Sequence, residues 1–111
     1  MKWKGSLDND SIGKAVAQAE KEAEKASIEG EQRLRFTLSL EETLLICKER
    51  CGESAVFSLR MKQRGRRLTA ELILPAEITG RFSGEDSLIA DLLNEWESET
   101  RKGNTRWVYS I

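Results

Sequence analysis

Apolar and polar residues alternate most clearly in two neighbouring stretches of the chain, 55–62 and 67–74. A period of two is typical of a β-strand with one buried face, so both stretches are predicted to be strands. A turn centred on Arg64 and Gly65 joins them into a hairpin, because glycine readily adopts the positive φ that tight turns need. Every apolar residue of the two strands then falls on one face of the hairpin.

The predicted register of this hairpin places Met61 opposite Leu68 and Lys62 opposite Arg67. Like charges that face each other across an antiparallel pair destabilise it slightly. A hairpin selected for stability alone would more easily carry an acidic residue at one of these positions. The pairing therefore indicates either a surface that binds an anionic partner or basic residues that keep an exposed strand from aggregating.

Further patterns of apolar residues predict the other elements of a compact domain. Two stretches alternate with period two, and two others have apolar residues at helical spacing between a capping box and a glycine. The predicted elements are a strand over 33–40, a short helix from Ser39 to Cys51 that stops at Gly52, a helix that starts at Ser83, continues past Trp96 and stops before Gly103, and a last strand over 105–111.

The first thirty residues differ in composition from the rest of the chain. Asp10 or Ser11 can cap a helix that runs to Ala26 and is rich in alanine, glutamate and lysine. Its apolar stripe consists mainly of alanine, which buries little area. We therefore predict an N-terminal helical extension over 1–30 and a compact domain over 31–111. The extension either lies exposed on the domain or packs against a second subunit.

The predicted order of elements in the compact domain is βαββαβ, with the extra N-terminal helix before it. This order resembles the ferredoxin-like split βαβ arrangement, in which two helices cover one face of a four-stranded antiparallel sheet. The resemblance covers about residues 32–111 and rests on element order. It implies an α+β fold and carries no information about function, because one fold serves many functions.

Composition narrows the class of protein. The chain has 111 residues, of which 39% are hydrophobic and 33% charged, as in an ordinary globular domain. It contains no apolar run long enough for a membrane span and no apolar segment after its first residues, so we expect a cytoplasmic protein. Histidine is absent, which removes the commonest general base and nearly all zinc sites. We predict no enzymatic activity, no cofactor and no metal.

Cys47 and Cys51 lie four residues apart, near the C-terminal end of a predicted helix. The partial negative charge of a helix C-terminus disfavours a thiolate. Two thiolates also do not complete a structural zinc site by themselves. We therefore predict that both cysteines are small residues of the core.

Positive charge is concentrated on the predicted hairpin. Five of the eight residues over 60–67 are basic, although the formal net charge of the chain is −1. The predicted sheet places further arginines on the face that the helices leave uncovered. The candidate residues for binding an anionic partner are Arg33, Arg35, Arg60, Lys62, Arg64, Arg66, Arg67 and Arg106.

These observations predict a small non-enzymatic interaction or regulatory module that recognises a macromolecular partner, with a protein as the first choice. The alternative is nucleic-acid binding through phosphate contacts of the same basic surface. RNA-recognition motifs stack bases on outward aromatic residues of their central strands, and the corresponding positions here hold arginine, threonine and glutamate. A homodimer through the N-terminal helix or the C-terminal edge strand is a further hypothesis.

Overall fold

Five strands and two helices are formed by the residues that the computed structural model describes, which are 1–28, 30–65, 67–74, 95–101 and 104–110. In the last two ranges the side chains described are those of residues 105, 106 and 108. The elements are β1 (Lys2–Ser6), α1 (Asn9–Lys25), α2 (Gly30–Cys51), β2 (Val56–Arg64), β3 (Arg67–Leu74), β4 (Glu95–Arg101) and β5 (Asn104–Ser110). Neither of these two helices is long and apolar enough to cross a membrane.

The strands form one antiparallel sheet in the order β1-β2-β3-β5-β4. The α+β class and the antiparallel sheet are therefore confirmed. The ferredoxin-like order is wrong, because the sheet begins with residues 2–6 and the two helices follow each other between β1 and β2. The C-terminal strand is also not an edge, since β5 pairs with β3 on one side and β4 on the other.

The stretch over 33–40 that was predicted as a strand lies in α2 instead. Phe36 and Leu40, four residues apart, point into the core and are 1% and 0% exposed. Leu34 and Leu38, which completed the period-two pattern, lie on the outer side of the helix and are 57% and 44% exposed. A short row of alternate apolar residues fits both periods, and packing against the sheet favours the helical one.

The capping box predicted at Ser39 lies inside α2 and does not begin a helix. The Ser39 hydroxyl donates to the carbonyl oxygen of Arg35 at 2.6 Å, and the Thr43 hydroxyl donates to the carbonyl oxygen of Ser39 at 2.8 Å. Both hydroxyls are thus satisfied within the helix although their side chains are buried. The predicted end of the helix is confirmed, because α2 ends at Cys51 and Gly52 follows with a φ of 89°.

Helix α1 belongs to the core, although alanine dominates its apolar stripe. Its small side chains let the helix approach the neighbouring elements closely, and they share one cluster with Phe36 of α2 and Phe57 of β2. The stripe is covered within the chain and offers no apolar surface to a second subunit. The division at residue 30 stays a prediction about independent folding. The buried residues of α1 are Ile12, Ala15, Ala19 and Ala23.

Asp8 caps α1, two residues before the earliest cap that the sequence predicted. Its carboxylate accepts a hydrogen bond from the backbone N–H of Ser11 at 2.8 Å and another from the Ser6 hydroxyl. The bond from Ser6 makes the largest contribution, and that from the Ser11 amide the next largest, to lowering the pKa of the Asp8 carboxyl below its ordinary value of 3.8.

This cap predicts a pH-dependent loss of stability in Asp8→Ala. A carboxyl whose pKa is lower in the folded state stabilises the fold above its unfolded pKa of about 3.8, and the effect is lost as the pH falls through the folded pKa. We expect Asp8→Ala to unfold at lower urea concentration than the wild type at neutral pH, and the difference to shrink in acid. Asp10→Ala, in the exposed first turn, serves as the control. A difference that is constant with pH would contradict the capping role.

The hairpin of β2 and β3 is confirmed, but its register differs from the predicted one by two residues. Met61 pairs with Ala70, and Lys62 pairs with Thr69. A shift of two preserves the face on which each side chain lies, so the predicted buried face is correct. The connection between the strands has two residues, of which the first, Gly65, has a φ of 60°.

The residues predicted to carry a helix past Trp96 form β4 instead. This strand pairs with β5 along its whole length, and Trp96 stands opposite Tyr109 in the register. Hydrogen bonding to the neighbouring strand decides the conformation here. The spacing of apolar residues within the segment does not predict this pairing. The predicted start of that helix at Ser83 and its stop at Gly103 lie outside the described residues.

Candidate interface for an anionic partner

The two faces of the sheet differ in what they contact. On β2, residues such as Phe57 and Leu59 are buried against the helices, while Arg60 and Lys62 point to the opposite side and are exposed. Partners in an antiparallel register share a face, so the register extends this exposed side to the neighbouring strands. We call the exposed basic residues on this side the basic face: Lys2, Lys4, Arg60, Lys62, Arg64 and Arg67.

Four of the candidate residues predicted from the sequence lie on the basic face, on the two strands of the hairpin. A fifth candidate, Arg66, lies outside the described residues. The structure thus brings together the four candidate residues of the hairpin. Both strands were predicted correctly, and a shift in register by two residues leaves each side chain on the predicted face.

Arg33 and Arg35 are not part of this surface, and their assignment to the sheet was wrong. Both lie on α2, in the helical layer that covers the opposite face of the sheet. The Arg33 guanidinium lies 3.4 Å from a carboxylate oxygen of Glu24, and that of Arg35 lies 2.8 Å from one of Glu31. Their charges are therefore compensated close to where they stand.

Arg106 lies on the same side of the sheet as the basic face, but it is matched by an acidic neighbour. Its Nε donates to the carboxylate of Glu71 on β3 at 2.7 Å. Glu71 is also the register partner of Arg60, so one carboxylate stands between two arginines and bonds to Arg106. This leaves the excess of positive charge on β1, β2 and the hairpin end.

Lys2 and Lys4 belong to the basic face and were missed in the sequence. They lie on β1, whose register places Lys2 opposite Arg60 and Lys4 opposite Ser58. The alternation of these lysines with Trp3 was the available signal. The stretch is short and largely polar, so its periodicity does not predict a strand by itself.

Two direct cross-strand pairs on the basic face join like charges. Lys2 stands opposite Arg60, and Arg64 stands opposite Arg67 at the hairpin end. Such neighbours are about 5 Å apart at Cβ and repel one another. Among the described residues, ion pairs involve neither Lys2 nor Arg60. The same is true of Lys4.

A shallow concavity of about 310 Å³ lies on this side of β1, β2 and β3. Basic side chains of Lys2, Lys4 and Arg60 contribute to its lining, and Ser58 and Ile73 are half-buried residues within it. The volume suits one or two side chains of a partner. The concavity therefore combines positive charge with a partly apolar wall.

The two cysteines offer no competing site. Cys47 is buried in the core, as predicted, and this burial raises the pKa of its thiol to about 12, with a smaller contribution from Cys51. Burial also raises the pKa of Cys51, which is half-buried. Both thiols are therefore protonated at neutral pH. Over the described part of the chain, His, Cys, Asp and Glu side chains form no group that could hold a metal ion.

The basic face is thus a preformed arrangement of cations around a concavity, on the side of the sheet that neither described helix covers. Comparison of the chain with models of known families and with curated proteins gives no match.

Proposed function

We propose that this chain is a non-enzymatic interaction or regulatory module whose basic face recognises an acidic surface on a partner protein. The observation that carries the proposal is the register of the basic face. Lys2 and Arg60 stand opposite each other, and neither of them forms an ion pair among the described residues. An acidic partner relieves the repulsion within this pair, so part of the interaction energy is gained by removing an existing strain.

The shape of the surface favours a protein over a nucleic acid. The concavity admits single side chains, and its lining includes Ile73 and Glu71. A protein surface can place separate carboxylates near the lysines and a neutral group near Glu71. A phosphate backbone instead brings continuous negative charge past Glu71. The formal net charge of −1 also provides no long-range attraction for a polyanion.

Nucleic-acid binding through phosphate contacts is the alternative function for the same residues. It predicts that the affinity falls more steeply as the salt concentration rises, because each neutralised phosphate releases condensed counterions. The two functions therefore separate in one binding experiment that uses both kinds of probe.

Charge reversal at Lys62 tests the proposal. We expect Lys62→Glu to bind an array of glutamate- and aspartate-containing peptides about tenfold more weakly than the wild type, a change equivalent to about 1.4 kcal/mol. Lys21→Glu is the matched control, because Lys21 is an exposed lysine on α1 and the change in net charge is the same. Fluorescence anisotropy at fixed ionic strength measures both variants.

The controls of this experiment distinguish recognition by the basic face from an effect of net charge and from nucleic-acid binding. Equal losses in Lys62→Glu and Lys21→Glu would attribute binding to net charge and contradict a role for the basic face. Tighter binding to mixed-sequence DNA or RNA than to every peptide, with a steep salt dependence, would assign the surface to nucleic acid instead.

A further inference from the structure

β1 is an edge strand of the sheet, and one of its two sides pairs with β2. Within the described residues, no strand lies against its other side. Edge strands carry a row of backbone N–H and C=O groups that an additional strand can pair with. The question is which residues of β1 direct these groups outward.

The hydrogen bonds between β1 and β2 answer this question. The Met61 amide donates to the carbonyl oxygen of Met1 at 2.9 Å, and the Leu7 amide donates to the carbonyl oxygen of Ala55 at 2.9 Å. In an antiparallel pair, hydrogen-bonded residues alternate with residues that turn their N–H and C=O to the other side. The odd-numbered residues of β1 thus bond to β2, and Lys2, Lys4 and Ser6 direct their backbone groups to the free edge.

Two of these three outward residues also belong to the basic face. The side chains of Lys2 and Lys4 are exposed and stand beside the concavity. An incoming antiparallel strand would bond to their backbone through every second residue, and the side chains of those same residues would lie on the basic face. The backbone hydrogen bonds and the lysine side chains of β1 would therefore contact the same alternate residues of an added strand.

We propose that the free edge of β1 accepts an extended acidic segment of a partner protein as an added antiparallel strand, with carboxylates two residues apart opposite Lys2 and Lys4. This inference rests on the proposed function and specifies its ligand. It predicts a segment with acidic residues at alternate positions, separated by residues that turn away from the basic face.

β1 is fixed in place before any further strand pairs with it. The N-terminal amine of Met1 donates to the carbonyl oxygen of Met61 at 3.2 Å, and Leu7 at the other end of β1 is fully buried. Trp3 packs against the core between them. A strand that is fixed at both ends and in the middle loses little further freedom when a ligand pairs with it.

Charge complementarity argues for an acidic partner over a second β1. If two copies paired through this edge, the lysines of one strand would meet those of the other, and such like-charge neighbours are destabilising. The lysines therefore protect the edge from pairing with itself while leaving it open to an acidic strand.

The test uses a fluorescent peptide of alternating glutamate and threonine and the full chain. Lys4→Gln removes the charge and keeps the amide, whereas Lys4→Pro removes both. Proline is tolerated at this position because the Lys4 amide points away from β2. We expect Lys4→Gln to weaken binding several-fold and Lys4→Pro to weaken it by at least about another tenfold. Urea unfolding of both variants checks that the domain remains folded.

Two modified peptides separate strand addition from simple charge attraction. N-methylation of the glutamates removes the amides that would face β1, and N-methylation of the threonines removes those that face away. We expect the first peptide to lose binding about tenfold or more and the second to bind like the unmodified one. Equal binding of both, with Lys4→Gln still weaker than the wild type, would overturn strand addition while leaving the proposed function intact.

Self-association of the chain gives the remaining outcome. β4 carries Glu95, Glu97 and Glu99 at alternate positions, so a second copy is another source of such a strand. Sedimentation that shows oligomers of the wild type, which Lys4→Glu dissociates, would overturn a partner protein as the occupant.

Discussion

Replacing Ala19 by glutamate is expected to unfold most of the protein or to lower its free energy of unfolding by more than about 4 kcal/mol. Ala19 is fully buried on α1 and belongs to the core cluster that joins both helices to the sheet. A carboxylate there is removed from water without a partner, and its longer side chain also overpacks the contact. Total stabilities of about 5–15 kcal/mol leave little margin for such a loss.

Ala17→Glu provides the matched control, because the same substitution two residues away falls on the exposed side of α1. There we expect a change within about 0.5 kcal/mol, with a small favourable contribution from Lys21 four residues later. Circular dichroism followed during urea unfolding measures both variants. Similar stabilities of the two would show that α1 is an exposed extension, as its alanine-rich composition suggests.

The second large effect is expected for Phe57→Ala, at about 3–5 kcal/mol. Phe57 lies on the helix-covered side of β2 and is 1% exposed. Truncation removes the burial of an aromatic ring and leaves a cavity between the sheet and the helices, which the surrounding side chains fill only in part. The midpoint of urea unfolding should fall while the slope remains that of the wild type.

Val56→Ala tests the other side of the same strand. Val56 is 38% exposed on the side of the basic face, so its truncation should cost about 1 kcal/mol at most. The pair of variants thus measures whether the two sides of the sheet differ as described. If Val56→Ala were as destabilising as Phe57→Ala, the surface around the concavity would be packed and unavailable to a partner.

The alternation of apolar and polar residues was sufficient to predict the hairpin, where two strands adjacent in the chain both show it. The two stretches of the hairpin alternate over eight residues each, and Gly65 supplies the turn, so the strands and their buried face were predicted correctly. The register was not, because a shift of two residues leaves every side chain on the same face. A period-two pattern therefore identifies the face of a strand but not its partner residues.

Local pattern failed where two periods fitted the same residues. Phe36 and Leu40 satisfy the spacing of a strand and of a helix, and the exposure of Leu34 and Leu38 shows which of the two the fold adopts. The error carried over to function, because the predicted strand placed Arg33 and Arg35 on the sheet. In the fold they lie on α2 and pair with carboxylates in the helical layer.

The sequence by itself determined the α+β class, the hairpin, its buried face and the concentration of positive charge along residues 60–67, because these depend on residues that are close in the chain. The tertiary structure alone decided that residues 2–6 form the edge of the sheet and that Lys2 stands opposite Arg60. These two residues are separated by both helices, and the free energy that joins their strands comes from burying α1 and α2 against the sheet. The local pattern of either segment does not show which strand it pairs with, so the basic face becomes complete only in the folded chain.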